Sequence, residues 1–299
     1  VKSRVIQSFD KVDMGDWKHL VDFAKWGMKN YPARHYALIV WNHGSGWDKK
    51  RSGLLRGISY DDETGAHITT PQLGMSLKQM GGVTVYGSDA CLMQMPEVVY
   101  EIKDSAEYIV GSEETEPGDG YTYNDFLGPL IANPLMPAEQ VGKLAVDAYS
   151  NHYNAQSEGY TQSLVKTAAL PQFLTLMNDF AVAMMSAKDS ATLQDEKALV
   201  KQAIAGSQSY AVSDNHDIVH FADLMAASTK SPEVKAKASA LKAYITGSLV
   251  THNRAYAGGY SDSHGIAGYM PGYSFNSSYN ALAWAAASKW DEFIAWYLK

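Results

Sequence analysis

One cysteine and one histidine stand at the ends of two apolar runs in this 299-residue chain. Cys91 follows the run at 83–87, and His43 follows the run at 36–41. Both runs are typical of buried strands, and open parallel sheets build their active sites at the carboxyl ends of such strands. A thiolate is a strong nucleophile, and a histidine can hold it deprotonated or protonate a leaving amine. The pair therefore predicts cysteine-dependent acyl transfer, most simply peptide hydrolysis.

Two backbone amides beside this pair are candidates for stabilising the oxyanion of such a reaction. Gly44 leaves space for a substrate carbonyl, and its N–H and that of Cys91 are the two expected donors. A donor of this kind contributes roughly 3–4 kcal/mol. The residues alone also admit a structural interpretation, in which Cys91 is a small buried hydrophobe and His43 a turn residue.

Composition narrows the classes of protein that fit. The chain is 46% hydrophobic and 19% charged, with a net charge of −7. This acidic balance argues against nucleic acid or an anionic membrane as the main partner. No apolar run approaches the ~20 residues that a membrane span needs. The single cysteine excludes an internal disulfide framework and a cysteine-rich metal site.

The order of elements predicts an α/β fold in which helices flank a mostly parallel sheet. Strands are expected at 36–41, 83–87, 108–112 and 163–170, with helices between them. One of these helices should begin with Thr70 as its N-cap and Pro71 as its first residue. Strand–helix–strand order implies parallel pairing with right-handed crossovers.

The second half of the chain is predicted to be mainly helical. We expect helices over much of 190–255, a late strand at 263–270 that returns to the sheet, and a Trp-rich helix over about 279–297. The predicted division is an α/β core at 1–170 and a mainly helical part at 171–299 that contributes the late strand to the core.

Several segments resemble the clostripain family of cysteine peptidases, in the clan of caspases, legumains and gingipains. Residues 30–47, with His43-Gly44, are similar to the family's segment through its catalytic histidine, and Asp89-Ala-Cys-Leu-Met to its nucleophile segment. Residues 110–121 and 265–271 are similar to later family segments. The resemblance covers nearly the whole chain. It implies a caspase-like fold with Cys91 as nucleophile and His43 as its catalytic partner.

The resemblance also implies cleavage after Arg or Lys, because acidic residues line the family's pocket for the residue before the cut bond. Asp89 matches the acid two positions before the nucleophile, and Asp119 matches an acid in the following Gly-rich loop. On a strand, Asp89 and Cys91 share a face, and a carboxylate can bind a guanidinium through two charge-assisted hydrogen bonds. The alternatives are that Asp89 caps the next helix and that the acidic residues at 113–119 form a solvated loop.

A basic segment lies between the two catalytic candidates. Lys49, Lys50, Arg51 and Arg56 are candidate sites at which an enzyme that cuts after basic residues could cleave itself and mature from a zymogen. An ordinary exposed charged loop is the alternative.

No cofactor is expected for the chemistry. The acidic loop lacks the spacing of an EF-hand, although family membership would allow Ca²⁺ dependence, and the other histidines follow no metal-ligand pattern. Family habit implies a bacterial protein that is secreted or associated with the cell envelope. Clostripain-like chains usually carry strands before the segment that begins here. A separate N-terminal chain or segment is therefore one expected partner, and without it one sheet edge is exposed.

The sequence thus predicts a cysteine endopeptidase acting on peptides and proteins with Arg or Lys before the cut bond. The rival interpretation is a catalytically silent caspase-fold module that uses the same acidic cleft to bind basic peptides. A peptidase with another preference at this position is a third interpretation.

Overall fold

A computed structural model describes residues 4–47, 57–187 and 193–299 of the chain. The strands of this described part are β1 (Ala37–Trp41), β2 (Gly57–Tyr60), β3 (His67–Thr69), β4 (Val83–Asp89), β5 (Ala106–Gly111), β6 (Thr161–Lys166), β7 (Asn215–Asp217), β8 (Val250–Ala255) and β9 (Ala267–Tyr269). Its α-helices are α1 (Trp17–Asn30), α2 (Thr70–Met80), α3 (Pro96–Ile102), α4 (Tyr123–Ala132), α5 (Ala138–Gln156), α6 (Leu170–Ser186), α7 (Leu193–Gly206), α8 (Ile218–Ser228), α9 (Pro232–Tyr244), α10 (Ala283–Ala287) and α11 (Trp290–Leu298).

A five-stranded sheet in the order β1-β4-β5-β6-β8 forms the centre of the molecule. β1, β4 and β5 are parallel, whereas β6 runs antiparallel to both β5 and β8. Four of the five strands therefore point the same way, as predicted for a mostly parallel sheet flanked by helices. The pairs β2–β3 and β7–β9 form two small antiparallel sheets beside it.

Helices cover both faces of the central sheet. Along β4 the side chains alternate between faces: Tyr86 packs into a large apolar cluster with α2, α3 and α6, and Val85 into a smaller one with α4 and α5. The predicted α/β fold with a mainly helical C-terminal region is confirmed, and the division at residue 170 remains a prediction. None of the helices in the described ranges is long and apolar enough for a membrane span.

The start of α2 differs from the prediction by one residue. Thr69, not Thr70, is the N-cap: its hydroxyl accepts from the backbone N–H of Gln72, and the Gln72 side chain bonds back to the Thr69 N–H. This reciprocal arrangement satisfies two of the free N–H groups at the helix start. The Thr70 hydroxyl instead donates to the carbonyl oxygen of Gly46, at 3.2 Å.

The late strand of the central sheet is β8, so the prediction that 263–270 returns to this sheet is wrong. The segment at 267–269 is β9, which pairs with β7. β8 lies within the range 190–255 that the sequence predicts to be largely helical, and its residues Val-Thr-His-Asn-Arg-Ala show no apolar alternation typical of a strand. It is an edge strand in which only Val250 is fully buried, and such a strand needs few apolar side chains.

The predicted helix over about 279–297 is interrupted. A 3₁₀ turn, α10 and α11 replace it, with extended backbone at Leu282 and Ser288. The Lys289 N–H bonds to Oδ1 of Asn178 in α6, at 2.7 Å. A tertiary contact of this kind has no local sequence signal.

The opposite edge of the central sheet is β1. Trp41 at its end is 64% exposed, as expected for an edge strand. The separate N-terminal chain or segment that would cover this edge remains a prediction.

Candidate active site

The pairing of β1 with β4 brings the two candidate catalytic segments to one edge of the sheet. Trp41 and Asp89, the last residues of these parallel strands, are direct neighbours. Beyond them, the N–H of Asn42 donates to the carbonyl oxygen of Asp89, at 3.3 Å. His43-Gly44 and Ala90-Cys91 therefore leave the sheet side by side, as the sequence predicts.

The backbone of Gly44 lies directly against Cys91. A Cβ at Gly44 would fall 2.6 Å from the carbonyl oxygen of Cys91 and 2.9 Å from Cβ of Ala90. Side chains do not tolerate such distances, so only glycine allows this approach. The Gly44 amide is thereby held close to the thiol, where it favours the thiolate.

Hydrogen bonds fix the backbone of His43 while its side chain remains exposed. Its N–H donates to Oδ1 of Asn42 at 2.7 Å, and its carbonyl accepts from the N–H of Ser59 at 3.2 Å. Ser59 lies at an irregularity in β2 and has a φ of 60°, a left-handed conformation that is uncommon outside glycine. The strained residue thus positions the backbone that carries the imidazole.

Cys91 is half-buried and unpaired. Burial raises the pKa of its thiol, and the N–H of Glu116, which donates to Sγ at 3.3 Å, opposes that shift. The turn that holds the thiol is tied to the loop after β5, because the N–H groups of Leu92 and Gln94 donate to the carbonyls of Glu114 and Ser112. The thiol is therefore half-buried and held in place, and its raised pKa favours the protonated form.

Asp89 is only 2% exposed. The N–H of Tyr121 donates to both of its carboxyl oxygens at 3.0 and 3.1 Å, and the Tyr123 hydroxyl donates to Oδ2 at 2.8 Å. Burial raises its pKa despite these bonds. The alternative that Asp89 caps the next helix is wrong, since Met95 is the N-cap of α3.

Buried carboxyl groups, not solvated ones, dominate the loop after β5. Glu113 is 1% exposed and accepts from the Tyr210 hydroxyl and the Gly265 N–H, and Glu114 accepts from the Ala211 N–H and the Tyr260 hydroxyl. The alternative of a solvated loop is therefore wrong for these residues.

The two acids predicted for the pocket, Asp89 and Asp119, differ in their burial. Asp119 is exposed, and its place in a binding pocket remains a prediction. The carboxyl group that contacts Asp89 belongs to Glu116, an acidic loop residue that the sequence analysis did not assign to the pocket. No local signal distinguishes Glu116 from Asp119, because the difference arises from contacts with β4 and β6.

The carboxyl groups of Asp89 and Glu116 form a pair in which Asp89 is buried and Glu116 is half-buried, with its Oε2 shielded from solvent. They lie within hydrogen-bonding reach of each other. Nε2 of Gln162 in β6 donates to Oε1 of Glu116, at 3.1 Å. Burial and the negative charge of Asp89 raise the pKa of Glu116 well above its ordinary value. Two carboxyl groups in such contact favour holding one proton between them.

The described residues contain no group of three or more His, Cys, Asp or Glu side chains that could hold a metal ion. Glu113 and Glu114 instead accept from the hydroxyl and amide donors given above. The calcium dependence that family membership allows remains a prediction. The candidate cleavage residues Lys49, Lys50, Arg51 and Arg56 lie outside the described residues.

Comparison with known proteins identifies relatives. The family model described as the clostripain family matches residues 2–296. Clostripain from Hathewaya histolytica is 30% identical over 134 residues, which are 41% of this chain and 26% of that protein. The matched region thus spans about a quarter of this curated relative.

Solved structures share the fold. A secreted C11 cysteine protease from Bacteroides thetaiotaomicron, in complex with an irreversible peptide inhibitor, has a TM-score of 0.72 at 19% identity, over 96% of this chain and 81% of that one. An inactive zymogen C11 protease from Parabacteroides distasonis has a TM-score of 0.68 at 18% identity, over 95% and 78% of the two chains. The caspase-like fold of such proteases is therefore the fold of this chain.

Proposed function

The chain belongs to the clostripain family, and from this premise we propose that it is a cysteine endopeptidase that cuts peptide bonds after Arg or Lys. The observation that carries the proposal is the contact between the segments of His43 and Cys91 at the carboxyl ends of β1 and β4. A thiol and an imidazole at one sheet edge are the groups that acyl transfer requires.

Cys91 is the proposed nucleophile. Its sulfur attacks the carbonyl carbon of the substrate, a C–S bond forms, and the carbonyl electrons move to oxygen. Collapse of this intermediate breaks the C–N bond and leaves a thioester on Cys91, which water then hydrolyses. The amides of Gly44 and Cys91, both close to Sγ, are the proposed donors to the oxyanion.

His43 is the proposed acid–base partner. Because burial raises the pKa of Cys91, the thiol keeps its proton until substrate is in place. The imidazole then accepts this proton and transfers it to the leaving amine, which would otherwise depart as an unstable anion. The side chain of His43 is exposed at the sheet edge where the Cys91 segment lies, so an incoming peptide can approach it there.

Asp89 is the proposed anchor for the basic side chain of the substrate, and Asp119 is a second candidate. Asp89 is buried two residues before the nucleophile, at the end of β4. A carboxylate in this position would attract a cation strongly, because few water molecules can solvate it.

We also propose self-processing and export. Cleavage after one of the basic residues in 49–56, namely Lys49, Lys50, Arg51 or Arg56, would convert a zymogen to a two-chain enzyme. A secreted or envelope-associated bacterial location agrees with the secreted relative described above. The proposed partners are peptides and proteins with accessible Arg or Lys.

One observation favours the rival function of a silent module that binds basic peptides. The Glu116 N–H contacts the sulfur of Cys91, so the thiol is partly covered. Such a module would bind the cation at Asp89 but transfer no acyl group.

Peptide-amide reporters with Arg, Lys, Asp or Asn before the scissile bond separate these functions. We expect turnover of the basic reporters alone, and none by Cys91→Ala. His43→Ala should lose most turnover, whereas His35→Ala, a change at an exposed histidine before β1, should not. Binding of the basic reporters without turnover would instead identify a binding module, and cleavage after Asp or Asn would overturn the pocket assignment.

Mass spectrometry of purified protein tests self-processing. Wild-type protein should yield fragments that end at one of the four basic residues, and Cys91→Ala should remain a single chain. Fragments of the same mass from both proteins would indicate cleavage by another protease.

A further inference from the structure

We propose that Asp89 and Glu116 share one proton in the free protein, and that the basic side chain of the substrate displaces this proton when it binds. The inference rests on the proposed function and extends it. It makes Glu116 a specificity-determining residue. Recognition of the basic side chain then exchanges the shared proton for the positive charge of the substrate.

The position of Glu116 links it to both the reacting thiol and the proposed anchor. Its backbone N–H donates to Sγ of Cys91 at 3.3 Å, while its side chain reaches the carboxyl group of Asp89. A substrate whose carbonyl lies at Cys91 and whose side chain extends toward Asp89 must therefore pass along Glu116.

The surroundings of the two acids hold more hydrogen-bond acceptors than donors. Gln162 is 1% exposed, and its Oε1 has no hydrogen-bond partner. The buried Oε2 of Glu116 has none either. Buried polar atoms are rarely left unsatisfied. A guanidinium group, with five N–H donors in a planar fork, would supply what these atoms lack.

Among the described residues, the groups that interact with the two acids provide no positive charge. Gln162, which is neutral at every pH, approaches Glu116 from β6. The titratable neighbours are one thiol and several phenols: Cys91 after β4, Tyr121 before α4, Tyr123 in α4, and Tyr149 and Tyr153 in α5. Neither acid forms an ion pair with a Lys or Arg among the described residues. Two adjacent carboxylates without a cation repel each other strongly, so the pair retains a proton until a cation arrives.

The shared proton also limits the negative charge that the folded protein must bury when no substrate is bound. With one proton, the pair carries a single negative charge, which the Tyr121 N–H and the Tyr123 hydroxyl stabilise at Asp89. When a guanidinium enters, both acids can ionise, and the protein releases one proton to solvent.

Calorimetry with Cys91→Ala tests the exchange without interference from the thiol. A peptide ending in Arg and a matched peptide ending in citrulline, its neutral analogue, are titrated at pH 6 in two buffers with different ionisation enthalpies. We expect release of a substantial fraction of one proton with the Arg peptide and none with the citrulline peptide. Equal proton release with both peptides, or none with Arg, would overturn the inference.

Glu116→Gln in the same background should abolish proton release and weaken binding of the Arg peptide by about tenfold, since one of two charge-assisted contacts is lost. Glu107→Gln, the same substitution at an exposed position of β5, is the matched control, and it should leave proton release unchanged. Persistent release from Glu116→Gln would contradict the proposed sharing.

The active enzyme provides a second measurement that does not depend on binding to Cys91→Ala. KM for an arginyl reporter should fall more steeply between pH 5.5 and 7.5 in the wild type than in Glu116→Gln. If arginyl reporters are turned over but the two KM profiles have the same shape, only this inference fails. If no basic reporter is turned over at all, the proposed function itself fails.

Discussion

Gly120 lies against the carboxyl group of Asp89, so closely that a Cβ on Gly120 would fall 2.6 Å from Oδ1. Its φ of 64° is also one that side chains disfavour. The loop after β5 therefore closes over the proposed anchor only because this residue is glycine. The Tyr153 hydroxyl donates to the Gly120 carbonyl at 2.7 Å and fixes the loop from α5.

Replacement of Gly120 by alanine should displace the Asp89 carboxyl group. We expect kcat/KM for arginyl and lysyl reporters to fall by about tenfold or more, mainly through a higher KM, because the change affects cation binding before chemistry. Gly118→Ala is the matched control, since nothing lies within 4 Å of a Cβ there. Equal kinetics for the two variants would argue against Asp89 as the anchor.

Gly44→Ala should act on the chemical step instead. A methyl group at Gly44 would collide with the Cys91 carbonyl and with Ala90, so the amide would move away from the developing oxyanion. The loss of one such donor lowers kcat by about a hundredfold or more. Steady-state kinetics with an arginyl reporter measure it. Gly128→Ala, an exposed change with open space around it, should retain activity. A Gly44→Ala enzyme that keeps its kcat would exclude this amide from catalysis.

Alkylation of Cys91 should report its protonation in the free enzyme. Because burial raises the pKa of the thiol, the rate of reaction with iodoacetamide should still be rising at pH 9, with no plateau near neutral pH. The single cysteine makes the reaction simple to follow by mass spectrometry. The profile should be nearly the same in His43→Ala. A plateau at pH 6–7 that disappears in this variant would instead reveal a resting thiolate–imidazolium pair.

Glu97 provides a test of stability against pH. It is fully buried at the start of α3, where burial raises its pKa to about 7. The folded protein then binds this proton more tightly than the unfolded chain, so stability should fall as the pH rises from about 4.5 to 7. The loss from this one group is at most about 3 kcal/mol.

Glu97→Gln should remove that dependence. The amide oxygen can still accept from the Tyr269 N–H and the Tyr279 hydroxyl, as Oε1 of Glu97 does, and it does not ionise. Urea unfolding at pH 5 and pH 8 should show the variant gaining stability relative to wild type at the higher pH. Glu107→Gln, at an exposed position, should show no such gain. If the free energies of unfolding of Glu97→Gln and wild type differ by the same amount at both pH values, the raised pKa of Glu97 does not contribute to the pH dependence of stability.

The sequence predicted the elements whose patterns are local. The apolar runs before His43 and Cys91 are both strands. β4 lies inside the sheet and is almost fully buried, which agrees with its continuous apolar signature, whereas β1 is an edge strand whose side chains are only partly covered. Their strand–helix–strand order predicted parallel strands, and the structure shows that β1 and β4 are direct neighbours. The position of the two catalytic candidates was therefore predictable from residue types and spacing.

The features that could not be predicted depend on distant partners. Glu116 and Asp119 differ in burial only because β4 and β6 place Asp89 and Gln162 beside one of them. β8 pairs with β6 although its side chains are polar, because its backbone supplies the hydrogen bonds at the sheet edge. No pattern within either segment encodes these contacts.

The parallel register of β1 on β4, from Ala37–Val85 to Trp41–Asp89, has a practical consequence for any nick between Trp47 and Gly57. The N-terminal piece would stay attached through this ladder and through the packing of α1 on α2. Size-exclusion chromatography would therefore give one unchanged peak for the nicked and the intact protein. Only a denaturing gel would separate the two pieces, and both would be needed to keep His43 beside Cys91.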